Sequence, residues 1–393
     1  MKALRIIAIT ISVFMLCCCT KKENNSEEEV AQAVSTAVAE ASVNETISLV
    51  AVGDNLLHMP VVNSGKKPDG SYEYSHLFRH LQPKIKEADI AVMGQETIFG
   101  GEEMGYSAYP CFNSPSDMGV SLVNEGFDVI LHASNHVLDK KAKGIENTLN
   151  FWKNYPEIIV LGINESIEEK NTVKIKEIKG AEIAMLNYTY GANGFLPPEG
   201  REYLVNFIDS EKIKADAEYA EENADFTIAF MHWGTEYSQS PNASQKELAK
   251  NMCEWGVDLI IGAHPHVVQP AEWIEAENGN KAFVFYSLGN FIGSQHEVKT
   301  LLGAMADVKL LYDGEKVKIT ESSLVPTVTH YNRTFREFTA YPLSEYTDEL
   351  AGLHGIAAYE GKLTVKRLND VLNKAFEGYD VSVIKYQILS GKE

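Results

Sequence analysis

V-D-L-I-I-G-A-H-P-H-V-V-Q-P, residues 257–270, decides how this chain is read. Val257 to Ile261 is a short apolar run closed by Gly262, the pattern of a buried strand, and it leads directly into His264 and His266 with one proline between them. Pro265 fixes its own φ and steers the residue before it toward extended backbone, so the two imidazoles are expected on a stiff tip. Such a tip suits a metal ion, because imidazole is the commonest metal ligand among side chains. H-x-H alone is a weak signal. Its weight here comes from four other expected strand ends that carry the same kind of residue.

On either side of the tip, short apolar runs alternate with amphipathic segments, which argues for βαβ units and an α/β fold with a mixed sheet. Strands are expected near Ile47–Val52, Ile90–Met93, Val129–Ala133, Ile158–Leu161, Ile183–Tyr188, Phe226–Met231, Leu259–Ile261 and Ala282–Tyr286. Helices are expected at Tyr74–Ala88, with a kink at Pro83, and at Pro115–Glu125, Lys141–Asn154, Ser210–Asn223 and Ser244–Trp255. Asp313-Gly314 joins a further strand pair, Gly303–Leu311 and Val317–Leu324, as a hairpin. The simplest division is one domain over 45–330 followed by a helical C-terminal appendage, 331–393.

The chain of 393 residues carries 35 Lys plus Arg against 55 Asp plus Glu, a net charge of −20. That charge argues against nucleic acid as a partner and leaves any anionic substrate to be drawn by a local cation. Lys2 and Arg5, the apolar run Ile6 to Leu16, and then Cys17-Cys18-Cys19 make residues 1–19 a targeting segment. The segment resembles a bacterial lipoprotein signal, which implies diacylation of Cys19 and an extracytoplasmic chain anchored to the bacterial cell membrane. Residues 20–44 are rich in Ser, Glu, Ala and Val and read as a solvated tether. Cys111 and Cys253 are expected as two unrelated thiols.

The first strand runs into Gly53-Asp54-Asn55-Leu56-Leu57-His58, the second into Gly94-Gln95-Glu96, and the third into Ser134-Asn135-His136 with Asp139 beyond. Later come His232-Trp233-Gly234-Thr235-Glu236 and the two histidines of the tip. In open α/β sheets the carboxyl ends of strands converge on one crevice, so these residues are expected to meet. A mixed set of carboxylate, amide and imidazole suits manganese, iron or zinc better than calcium or a structural zinc.

The ordered motifs GDxxxH, a strand ending in Glu, AxNHxxD, HWGxEY, GxHPH and Ser287-Leu288-Gly289-Asn290-Phe291 resemble the CapA-type poly-γ-glutamate capsule synthesis family, related to the calcineurin-like metallophosphoesterases. The resemblance implies a metallophosphoesterase-like sandwich with helices on its outer faces. It implies two divalent ions held by Asp54, Glu96, Asn135, His232, His264 and His266, with His136 near the leaving group. Asp139 either caps the next helix or orients His136. His58 stands four positions from Asp54 and is expected to touch substrate rather than metal, together with Gln95, Glu236 and Asn290. The implied partners are an anionic polymer or phosphate-containing substrate, the membrane, and membrane capsule-synthesis proteins. A generic phosphoesterase and a non-enzymatic polymer-binding scaffold remain as alternatives.

Overall fold

The structure, a computed structural model, describes residues 44–383; the targeting segment, Cys19 and nearly all of the tether lie outside them. Fourteen strands run in chain order as β1 Glu45–Asn55, β2 Ile90–Gly94, β3 Val129–Leu131, β4 Ile159–Leu161, β5 Lys174–Ile178, β6 Ala181–Thr189 and β7 Phe226–His232, then β8 Leu259–Ala263, β9 Ala271–Glu275, β10 Lys281–Phe285, β11 Asn290–Ile292, β12 Leu302–Tyr312, β13 Val317–His330 and β14 Thr339–Pro342. They form two mixed sheets. One has the order β14-β13-β12-β1-β2-β3-β4 with β11 paired to the end of β1; the other has β5-β6-β7-β8-β10-β9.

The parallel strands are contiguous in each sheet, β1 to β4 along one side of the first and β6, β7, β8 and β10 at the centre of the second. Their carboxyl ends therefore emerge side by side. Alternate residues of the second sheet, Ile183, Met185, Ile228 and Phe230, share one core with Leu49, Ala51 and Val92 of the first. The intervening residues Leu186, Ala229 and Met231 instead pack on Ile213 and Ala217 of helix α4 (Ser210–Asn223) and Ala249 and Met252 of helix α5 (Ala243–Glu254). Helices α1 (Gln82–Glu87), α2 (Asp117–Glu125) and α3 (Lys141–Trp152) bring Ile85, Met118, Leu122 and Trp152 to the first core. The expected α/β sandwich is present.

Four differences from the expected elements have local causes. The helix expected over Tyr74–Ala88 is split, and Pro83 lies in the first turn of α1, where its missing N–H costs nothing, so it starts a helix instead of kinking one. Strands β5 and β9 were not expected; both are edge strands with charged, half-exposed side chains. The third is in the segment after 330, expected as a helical appendage: it supplies β14, and Tyr331, Phe338, Leu368 and Leu372 of helix α6 (Val365–Ala375) and its approach join the main core. The fourth concerns His264, whose φ is +96° instead of extended.

His354 fastens this C-terminal segment. Its Nε2–H donates to the Thr329 carbonyl at 3.0 Å and its Nδ1 accepts from the Ile356 N–H at 2.9 Å, so both ring nitrogens are satisfied only in the neutral form. Burial, aided by His330, holds its pKa down at about 4. A folded pKa below the unfolded value near 6.5 means the unfolded chain binds more protons, so the stability is present above about pH 6.5 and is lost as pH falls toward 4. Urea denaturation of metal-free protein should show a decline of about 3 kcal/mol across that window attributable to this residue. His354→Gln should flatten the slope; an unchanged slope would contradict the assignment.

Candidate metal centre

The backbone at the strand ends is shaped to aim side chains. β1 changes register against β2 between Val52 and Asp54, a bulge that turns Asp54 toward the second sheet, where its Oδ2 accepts the His264 N–H at 3.0 Å. Gly262 in β8 is there because of crowding: a Cβ at that position would lie 2.0 Å from the Tyr286 carbonyl oxygen and 2.5 Å from the Trp233 indole nitrogen. Gly262→Ala should force β8 from β10 and displace His264. We expect a loss of about 1–3 kcal/mol in thermal or urea unfolding together with weakened metal binding; an alanine variant with wild-type stability would contradict this close approach.

Asp54, Glu96, Asn135, His232, His264 and His266 all come together, and all are buried. His266 Nδ1 is 3.3 Å from Asp54 Oδ2, and its Nε2 is 3.8 Å from Glu96 Oε1. His232 Nδ1 lies 3.8 Å from Asp54 Oδ1, while its Nε2 is 4.0 Å from Glu96 Oε1 and 2.8 Å from Asn135 Oδ1. Two donor groups emerge, Asp54/Glu96/His266 and Glu96/His232/His264, each with its ligand atoms within 4.8 Å of one another. Glu96 belongs to both. A third group links Glu236 to His264 and His266, so the exposed Glu236 stands at the rim of the same centre.

The donor set fits a cation. Both oxygens of Glu96 and the Nδ1 of His264 are buried without a hydrogen-bond partner, and a buried unpaired carboxylate costs several kcal/mol unless a positive charge offsets it. Burial first, and the Asp54, Glu236 and Asp139 charges next, push the Glu96 carboxyl well above its ordinary range, although His266 opposes this. Burial and the neighbouring histidines drive His232 well below the imidazole range and His264 down to about 3, leaving their lone pairs available. For His266, burial acts downward but the Glu96 and Asp54 carboxylates outweigh it and hold the ring up at about 9. His264 and His266 both have positive φ, +96° and +57°, backbone conformations that a tip of this kind sustains only when its surroundings over-determine them.

His136 sits beside the donor cluster, its Nε2 4.0 Å from Glu96 Oε1. Its Nδ1–H donates to Asp139 Oδ2 at 2.7 Å, and the same oxygen accepts the Phe112 N–H at 2.6 Å. Helix α3 has no side-chain cap, so of the two roles open to Asp139 the contacts give the orienting one. A small separate core of Ile98, Val137, Leu138, Ile145, Ile163 and Val205 supports the loops that carry Glu96, Asn135 and His136.

The substrate candidates divide. His58 faces a cleft of about 1010 Å³ that also reaches Asn135, His136, Glu236 and His266. Its Nδ1 accepts the Ser294 N–H at 3.2 Å, and burial lowers its pKa to about 4. Gln95 does not face this cleft. It is fully buried, accepting from Asn55 at 2.7 Å and donating to Thr97, so it braces the Glu96 turn. Asn290 is also fully buried; its Oδ1 accepts from His266 Nδ1 at 3.0 Å, which turns Nε2 toward Glu96. Two residues at the site carried no motif signal. Asn193, at φ +49°, accepts from Asn135 Nδ2 at 3.3 Å and lies 3.4 Å from His136 Nδ1. Tyr190 packs against His264, the rings tilted by 46° with centroids 4.5 Å apart. Both fall within Tyr188–Phe195, a stretch outside all of the ordered motifs.

Comparison with known proteins agrees with the ordered motifs. The family model described as bacterial capsule synthesis protein PGA_cap matches residues 48–295. The chain is 27% identical to the capsule biosynthesis protein CapA of Bacillus anthracis over 75% of this chain and 74% of that protein. It is 33% identical to the PGA biosynthesis protein CapA of Bacillus subtilis (strain 168) over 49% of this chain and 50% of that protein. Among solved structures, a putative 5'-nucleotidase from Staphylococcus aureus in complex with alpha-ketoglutarate is similar at TM-score 0.47 and 18% identity, covering 72% of this chain and 54% of that one. The calcineurin-like phosphoesterase YfkN from Bacillus subtilis is similar at TM-score 0.42 and 14% identity, covering 85% and 97%. Likeness at that level carries no residue across. The family match does not depend on it: spanning more than half of the sequence and every strand end that bears a ligand-type residue, it places the chain in the bacterial capsule synthesis protein family PGA_cap.

Proposed function

We propose that this chain is a surface lipoprotein whose metal centre performs hydrolysis or group transfer in the synthesis, export or anchoring of poly-γ-glutamate. The substrate is the anionic polymer itself or a phosphate-containing intermediate of it. The observation that carries the reading is Glu96, buried between two donor groups with both oxygens unpartnered. Asp54 and His266 would hold one divalent ion and Asn135, His232 and His264 a second, with Glu96 shared; manganese, iron and zinc suit these donors. Such a pair supplies charge neutralisation and polarises the oxygens of a displacement.

The remaining residues act on the substrate directly. His136, with Nδ1–H committed to Asp139, presents Nε2 to the cleft, where it can deliver a proton to a leaving oxygen. Phe112 packs edge-on against the His136 ring at 4.6 Å and excludes water from that side. His58 and Glu236 both border the cleft. A polyanion approaching a chain of net charge −20 is repelled at long range, so the ions also supply the local attraction that docking needs. Anchoring through Cys19 is supported by the Lys2 and Arg5 n-region and the short apolar run that precedes it; among the described residues no helix is long and apolar enough to cross a membrane.

The test is turnover of p-nitrophenyl phosphate and of poly-γ-glutamate by purified protein, with chelator and then with manganese or zinc restored. Turnover that disappears with chelator and returns with metal is expected. Wild type that turns over neither substrate with any of the metals, while retaining the polymer, would overturn the catalytic reading in favour of a binding scaffold.

A further inference from the structure

A second cleft, of about 910 Å³, lies between the 64–79 segment and the 330–341 hairpin, with Arg79, Arg333, Phe338, Tyr341, Leu350 and Leu353 in its walls. It shares no lining residue with the cleft at the metal centre. Its two sides are tied together: Thr339 Oγ1 donates to the His76 carbonyl at 2.7 Å, His76 Nε2 is 3.0 Å from Ser64 Oγ, and His330 Nδ1 is 2.8 Å from the Tyr346 hydroxyl.

The charge of this cleft runs against the rest of the molecule. The chain carries −20, yet Glu337 is the one carboxylate among the cleft's lining residues. Two other arginines are paired, Arg201 with Glu146 at 2.7 Å and Arg367 with Glu360 at 2.6 Å. Among the described residues Arg79 has no ion-pair partner, and Arg333 donates only to the Gly352 carbonyl at 3.2 Å. Guanidinium forks match carboxylates in bidentate fashion, and beside them lie apolar surfaces, with Leu353 61% exposed. Carboxylates spaced along methylenes complement that alternation of charge and apolar surface.

We infer that this cleft is a second docking site, separate from the metal centre, for a segment of a chain-like polycarboxylate. It rests on the polymer reading proposed above, and it adds a place where the polymer is held without metal. Arg79 and Arg333 grip carboxylates while Tyr341, Leu350 and Leu353 accept the connecting methylenes.

The test is fluorescence anisotropy of end-labelled polyglutamate with the full chain carrying Glu96→Gln, in chelator, so that the metal centre holds nothing. Binding is expected in low salt. Arg79→Ala/Arg333→Ala should weaken it at least about tenfold, Arg79→Lys/Arg333→Lys should restore part of it, and Glu337→Gln should tighten it, all at unchanged melting temperature. Equal binding by the alanine variant, or no binding by the metal-free parent, would overturn the inference. So would retention on phosphatidylglycerol vesicles that is lost in the alanine variant while polymer binding is kept, since that would make the occupant a lipid surface. Arginine-dependent binding here, together with no polymer turnover by the metal-supplied wild type, would support the cleft and remove only the reaction proposed above.

Discussion

Glu96→Gln is expected to lower metal-dependent turnover by roughly a thousandfold or more, the equivalent of several kcal/mol of transition-state charge stabilisation. The reason is the sharing. Of the donors in Asp54/Glu96/His266 and Glu96/His232/His264, Glu96 alone closes both, and glutamine keeps its shape while removing the charge that balances two dications. The same substitution should leave metal-free protein as stable as the wild type, or more so. The Glu96 oxygens have no hydrogen-bond partner in the protein, only histidine nitrogens at 3.8–4.0 Å, so neutralising them removes a desolvation cost and breaks no hydrogen bond. Calorimetry of chelated protein separates this from a structural role, for which the glutamine variant would melt lower.

Asp139→Asn should cut turnover by about 10²–10⁴-fold with metal content unchanged. Asp139 touches none of the metal donors; it holds the His136 ring through Nδ1 and is itself held by the Phe112 N–H. An amide can still accept from Phe112 but stabilises a protonated His136 poorly. The loss should therefore be smaller for p-nitrophenyl phosphate, whose leaving group needs little protonation, than for an alkyl phosphate. Equal losses on both substrates would argue that His136 does not serve the leaving group.

The central strands were legible in the sequence because a parallel strand buried on both faces leaves an unbroken apolar run, as in Ile90–Met93, Phe226–Met231 and Leu259–Ile261. The edges were not. Lys174–Ile178 and Ala271–Glu275 alternate charge with apolar residues, and β11 is three residues long. The donors Asp54, Glu96, Asn135, His232, His264 and His266 were visible because each follows a strand that convergence brings to one crevice. What the sequence could not show is which neighbours look inward. Gln95 and Asn290 have the chemistry of substrate contacts but are consumed by Asn55, Thr97 and His266. Asn193 comes from a turn with no motif and still reaches both Asn135 and His136. The positive φ of His264 also escaped a local rule: Pro265 favours extended backbone, but the bond from the His264 N–H to Asp54 comes from the opposite sheet and overrides it.

Elemental analysis of metal per chain, on wild type, His266→Ala and Glu96→Gln purified in parallel with manganese and zinc supplied, tests the shared-carboxylate centre most directly. The account predicts about two equivalents in wild type, about one after loss of His266, and almost none after loss of the Glu96 charge. A folded wild type without metal, or a Glu96→Gln protein that keeps both ions, would contradict it.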